Sequence, residues 1–187
     1  MRAQANPSRG SFARETATEE ELYCSPMSSG QLQVWFVEQL AKGIAVNNLF
    51  FGVHLDGDLN LEVLDLSLKV VVDRHEAFRT TFDTLDGEPV QLIGRARLPT
   101  IALIDLSGRP PSDLAHEAYT VARREVNDLF DLTRGPLVRL VLLRLAPQNH
   151  IMLAILHHII CDGWSLGLFA MSLPRVTQPF ATVQAPR

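Results

Sequence analysis

The chain has 187 residues, a formal net charge of −4 and 20% charged residues. It carries no basic stripe, which argues against a nucleic-acid partner. Its 47% hydrophobic content suits an ordinary globular domain, and the length suits one domain or one large lobe with a real core. The longest apolar runs, such as 137–145, are interrupted by arginines and are too short to span a bilayer. The polar N-terminus has no apolar segment for a signal peptide. Cys24 and Cys161 have no metal-ligand spacing. Two reduced thiols in a cytoplasmic protein are therefore expected, with no membrane association.

Residues 1–21 are rich in Ser, Ala, Thr, Glu and Arg without an apolar period, and read as a disordered leader. Ser28 or Ser29 is placed to cap a helix running through Trp35 and Phe36 to about Leu40. Phe51, Val53 and Leu55 alternate as one face of a strand, and Asp56-Gly57-Asp58 ends it. Asn60 suits an N-cap for a helix whose stripe is Leu61, Leu64, Leu68, Val71 and Val72, closing near Arg74. Asp86-Gly87 between Thr80–Leu85 and Pro89–Ile93 is a hairpin signal. Thr100–Leu106 reads as a further strand. Ser112 would cap a helix with Leu114, Ala118, Val121, Ala122 and Val126 inside.

Leu137–Leu145 and His150–Leu156 read as two strands joined by a short turn, apolar on both faces. Such strands belong inside a sheet covered by helices on at least one side. The fold class expected is α/β, a mixed sheet flanked by helices. Residues 171–187 hold three prolines and no period. They read as an irregular tail, the mark of a truncated or frameshifted reading frame.

Chemistry concentrates in Leu156-His157-His158-Ile159-Ile160-Cys161-Asp162-Gly163-Trp164-Ser165, which follows an apolar strand and precedes a helical pattern. A loop at the end of a buried strand presents an active group rigidly. A histidine there can take or give a proton near neutral pH. Asp162 can accept a hydrogen bond or pair with an arginine, and Gly163 permits close approach of a ligand. Neighbouring histidines on a strand point to opposite faces and make a poor chelate, so no metal site is expected. Taken alone, the residues favour a scaffold role for His157 and leave His158 open between proton transfer and a satisfied core histidine. His54, His116 and His150 lie elsewhere and are expected to be solvated. Trp35 reads as core, and Cys161 as a bystander rather than a nucleophile.

Three further segments bear on this choice. Arg74-His75-Glu76-Ala77-Phe78-Arg79-Thr80-Thr81-Phe82 resembles the Arg-His-Glu-x-Leu-Arg-Thr-x-Phe signature of nonribosomal peptide synthetase condensation domains, with Phe for Leu. The stretch from Ser28 to Trp35 is similar to that family's first motif, Ser-x-Ala-Gln-x-Arg-Leu-Trp. It keeps Ser28, Gln31 and Trp35 and departs at Gly30, Gln33 and Val34. Phe130 to Leu137 is similar to the lead-in to the family's central strands, and residues 157–163 match its His-His-x-x-x-Asp-Gly motif. The four motifs come in the family's order between about Leu22 and Phe169, after which the resemblance fades. Residues 22–170 are read as one lobe on this basis.

The resemblance implies the N-terminal lobe of a chloramphenicol-acetyltransferase-like fold, whose active site lies in a tunnel between two lobes. It implies amide-bond formation between a carrier-bound acyl or peptidyl donor thioester and an aminoacyl acceptor. His158 would be the catalytic histidine, as base or as a group that positions the amine, with the backbone N–H of Gly163 near the oxyanion. His157 and Asp162 would be structural, with Asp162 paired to Arg74 first or Arg79 second. The plain alternative for both arginines is a surface ion pair with Glu76. No cofactor is implied in this lobe. Substrates would arrive on the phosphopantetheine of carrier proteins, with an adenylation domain in the same assembly line and the second lobe as a further partner. A stand-alone acyltransferase using a coenzyme A thioester and a non-catalytic carrier-binding module are the rival readings.

Overall fold

The computed structural model describes residues 23–94, 99–161 and 182–184. In chain order these form β1 (Tyr23–Pro26), α1 (Ser29–Leu40), β2 (Asn48–Asp56), α2 (Leu61–Arg74), a 3₁₀ turn (Glu76–Arg79), β3 (Thr80–Leu85), β4 (Glu88–Ile93), β5 (Ile101–Asp105), α3 (Pro111–Asn127), β6 (Val138–Ala146), β7 (Asn149–His157) and β8 (Thr182–Gln184). Five strands make the main sheet in the order β5-β6-β7-β2-β8, and three make a smaller one in the order β1-β4-β3. β5 and β6 run parallel, as strands linked through a helix do, and the other pairs are antiparallel. The sheet is mixed and helix-covered, as expected.

The central strands explain their own apolar sequence. Leu140, Leu142, Met152, Ala154 and Leu156 pack with Leu64, Leu68, Val71 and Val72 of α2. On the opposite face Val141, Leu143, Leu153 and Ile155 meet Ala118, Leu114, Val121, Ala122 and Val126 of α3. Both faces of β6 and β7 are therefore roofed by helices. Each fully enclosed Leu or Ile contributes roughly 1.5–3 kcal/mol of burial. Leu61, expected inside the α2 stripe, is 37% exposed; it sits in the first turn, beyond the edge of the sheet contact.

Local signals set the boundaries. Ser28 and Gln31 cap α1 reciprocally. The Asn60 side chain accepts from the N–H groups of Glu62 and Val63 at 3.0 and 3.1 Å. Asp86 and Gly87 have φ of 53° and 86°, the left-handed pair of a two-residue hairpin turn. The start of α3 differs from expectation. Pro110 is its N-cap, without a side-chain cap, and Pro111 opens the helix, while Ser112 bonds to Asp113 instead. A proline at the first helical position has no N–H that needs a cap.

Two further expectations are corrected. Within 171–187, Thr182–Gln184 is a strand that adds antiparallel to β2, so that stretch is not irregular throughout. His150 is 3% exposed rather than solvated. It opposes Leu55 across the β2–β7 ladder, so the apolar neighbours of the strand enclose it. The leader 1–21, Asp162, Gly163 and the segment after Gly163 up to residue 181 lie outside the described residues.

Candidate active site

β7 ends at His157 because the ladder to β2 and β6 ends there: Asn48 opposes His157, and the His157 N–H donates to the Leu137 carbonyl at 3.0 Å. The chain then turns, with the Ile160 N–H donating to the His157 carbonyl at 3.1 Å. The two histidines separate as strand alternation requires. His157 is 1% exposed, while His158 faces outward and is exposed.

Every polar atom of the His157 ring has a partner. Its Nε2 lies 3.3 Å from Oε2 of Glu38, on α1. Its Nδ1 accepts from the Ile159 N–H at 3.2 Å. The ring of Phe130 stands edge-on to it, with centroids 6.1 Å apart. Burial holds this imidazole below the usual histidine range, and the Glu38 carboxylate only partly offsets that. His157 is thus a neutral, enclosed ring at neutral pH.

His158 is held differently. Its backbone N–H donates to the Asn47 carbonyl at 2.8 Å. Its Nδ1 lies 2.9 Å from the Cys161 carbonyl oxygen. A carbonyl only accepts, so Nδ1 carries the hydrogen and the neutral ring has its lone pair on Nε2. That Nε2 has no partner among the described residues. The arrangement presents one proton-accepting nitrogen on a ring whose tilt is fixed from behind.

The segments singled out in the sequence meet around this turn. Phe78 shares an apolar cluster with Cys161. Leu132, Leu137 and Phe82 pack with Ile159, and Trp35 and Phe130 lie against the same cluster. Trp35 is therefore a core contact, as expected. Cys161 is buried, with Sγ 3.8 Å from the His157 carbonyl. Arg79 is engaged by Glu76 at 2.8 Å and by the Gly94 carbonyl at 2.9 Å. Arg74 is exposed at the last turn of α2. The expected pairing of either arginine with Asp162, and the place of Gly163, fall outside the described residues. Among the described residues no cluster of His, Cys, Asp and Glu could hold a metal ion.

Sequence reasoning missed two residues that the geometry brings to the site, Glu38 and Asn47. The Asn47 side chain donates to Glu38 Oε2 at 2.7 Å. The available signal was an acidic residue three places beyond Trp35, one turn along the helix of the first motif.

The Condensation domain family profile matches residues 21–179, which is most of the chain. The chain belongs to the condensation domain family. The match continues past Phe169, where the motif resemblance fades. A linear gramicidin synthase from Brevibacillus parabrevis is 40% identical over 161 residues, covering 86% of this chain and 3% of that protein. Cyclosporin synthetase simA from Tolypocladium inflatum is 35% identical over 167 residues, covering 88% of this chain and 1% of that protein. The starter condensation domain of rhizomide synthetase RzmA superimposes with a TM-score of 0.74 at 26% identity, over 81% of this chain and 36% of that one. The chain therefore spans a small part of those synthetases and about a third of the solved domain. The fold of this condensation-domain chain is α/β, a chloramphenicol-acetyltransferase-like lobe. No helix among the described residues is long and apolar enough to cross a membrane.

Proposed function

We propose that this chain is the N-terminal lobe of a condensation domain that joins a carrier-bound acyl or peptidyl donor thioester to a carrier-bound aminoacyl acceptor. The amine nitrogen attacks the thioester carbonyl carbon, the nitrogen loses a proton, the C–S bond breaks, and the thiol leaves with a proton. The observation that carries this reading is the ring of His158: exposed, with Nδ1–H bound to the Cys161 carbonyl and its Nε2 lone pair without a partner among the described residues. A nitrogen so presented can accept the amine proton or hold the amine for attack. In this reading the Gly163 N–H stabilises the oxyanion, and His157 and Asp162 are structural, with Asp162 held by Arg74 or, failing that, by Arg79. No cofactor belongs to the lobe. Substrates arrive on phosphopantetheine arms of carrier proteins. The second lobe completes the tunnel, an adenylation domain loads the acceptor, and the assembly works in the cytoplasm.

The test supplies a two-lobe protein containing these residues with a loaded donor carrier and a loaded acceptor carrier. Mass spectrometry should find the donor acyl group on the acceptor amine. Hydrolysis without transfer would overturn the assignment. One observation keeps a second reading in view: a variant of the RzmA starter domain, TM-score 0.75 and 25% identical, has been solved in complex with C8-CoA and Leu-SNAC. A stand-alone acyltransferase using a coenzyme A thioester would transfer equally well without a donor carrier. The same assay distinguishes it, and failure of transfer from either donor would leave a non-catalytic carrier-binding module.

A further inference from the structure

We propose that Glu38 is a positioning residue for the reaction, a carboxylate that ties His157 and Asn47 together and thereby fixes the backbone and ring of His158. The inference rests on the reading of His158 given above and assigns a role to a residue of α1 that makes no contact with the reacting atoms.

A single oxygen, Glu38 Oε2, accepts from Asn47 Nδ2 at 2.7 Å and meets His157 Nε2 at 3.3 Å. The other ring nitrogen, Nδ1, faces the Ile159 N–H at 3.2 Å. A backbone amide only donates, so Nδ1 must be the unprotonated nitrogen and Nε2 must carry the hydrogen. The opposite tautomer would set Nδ1–H against the Ile159 N–H and a nitrogen lone pair against the carboxylate. Both contacts would then be repulsive, in a site where His157 is 1% exposed and water cannot substitute. The Ile159 N–H and the Glu38 carboxylate therefore select the same tautomer from opposite sides of the ring.

The other arm runs through Asn47, which is 7% exposed. Its side chain is on Glu38 and its carbonyl oxygen takes the His158 N–H at 2.8 Å. The carboxylate thus governs the residue before His158, the residue after it, and the acceptor for its own N–H. The His158 ring, tied to Cys161 at the end of the same turn, takes its direction from that backbone. An imidazolium at His157 could not accept from Ile159, and burial lowers its affinity for a proton. What the site needs from residue 38 is a hydrogen-bond acceptor rather than a negative charge, which makes glutamine the discriminating substitution.

The experiment has two readouts. In the 187-residue protein carrying ¹⁵N-histidine, the ring shifts of His157 at pH 7 should report the Nε2–H tautomer. Glu38→Gln should keep the wild-type shifts, whereas in Glu38→Leu the Nε2–H loses its acceptor and the ring shifts should move away from the wild-type values. In the two-lobe protein, Glu38→Leu should lower kcat roughly 10–100-fold at near-constant KM, the penalty of a misdirected reacting group, and Glu38→Gln should restore most of it. An Nδ1–H tautomer in the wild type overturns the proposal. So does a wild-type kcat in Glu38→Leu when His158→Ala is inactive, an outcome that leaves the role of His158 intact. Full turnover by His158→Ala instead removes the catalytic reading on which positioning depends. If Glu38→Leu does not fold, the wild-type tautomer and Glu38→Gln decide: a tenfold or greater loss in Glu38→Gln counts against the acceptor role.

Discussion

His150 and His157 are both enclosed by the sheet, and burial lowers the proton affinity of each. For His150 the Arg144 guanidinium adds to the effect. The unfolded chain takes up these protons first as pH falls through about 6.5, so the native state binds fewer than the unfolded state below that pH. Stability is then fully present above it and declines as pH falls towards the folded values. Asp105 and Asp131, lowered by hydrogen bonds from Ser107 and Thr133 respectively, act in the same direction only below about pH 4. The urea midpoint should be lower at pH 5.5 than at pH 7.5; a flat or rising midpoint would contradict the enclosure of these rings. His157→Phe keeps an aromatic ring but strands the Ile159 N–H and removes one of the two donors to Glu38 Oε2. It should cost roughly 1–3 kcal/mol in urea melts, and an unchanged midpoint would show that water repairs both losses. The enclosure of His157 can be argued from its place at the end of an apolar strand. Its partners cannot, because Glu38 is 119 residues away and no local pattern joins a helical carboxylate to a strand end.

Elements are the most legible level. The period of α2, the alternation of β2 and the Asp86-Gly87 turn each have a local physical cause, and each element lies where that cause puts it. Asn60→Ala removes the acceptor for two N–H groups at the start of α2 and should cost about 1 kcal/mol. Thermal unfolding checks it, and a change below the error of the melt would mean that solvent caps the helix as well. Leu64→Ala, at 0% exposure between α2 and the sheet, should cost about 3–5 kcal/mol through the cavity it leaves; a loss under about 1 kcal/mol would mean that the helix collapses onto the sheet. Ser112 departs from expectation because the helix already starts at Pro111, which puts Ser112 inside the first turn rather than at the cap position, where its hydroxyl bonds to Asp113. His150 departs from it because polarity alone suggests solvent, whereas its position opposite Leu55 decides its burial. Strand order, and the roofing of both faces of β6 and β7, depend on contacts too distant in sequence for local periodicity to specify.

At the scale of the whole molecule, four separated motifs become one arrangement. α1 brings Glu38 to His157, the segment before β6 brings Phe130 to His157, and Phe78 of the 3₁₀ turn and Leu132 join the apolar clusters that hold Cys161 and Ile159 respectively. The proposed condensation also needs both thioesters held at attack distance and shielded from water, and these residues correspond to about a third of the solved RzmA domain. The 187-residue chain by itself should therefore show no condensation with loaded carriers, and clear turnover by a monomer would mean that one lobe suffices. The most direct measurement compares wild type with His158→Ala in a two-lobe protein, following transfer from donor carrier to acceptor carrier in a single turnover. The rate should fall by roughly 10²–10⁴-fold with the melting temperature unchanged, whereas near wild-type transfer by a folded His158→Ala protein would contradict the assignment of His158 to the reaction.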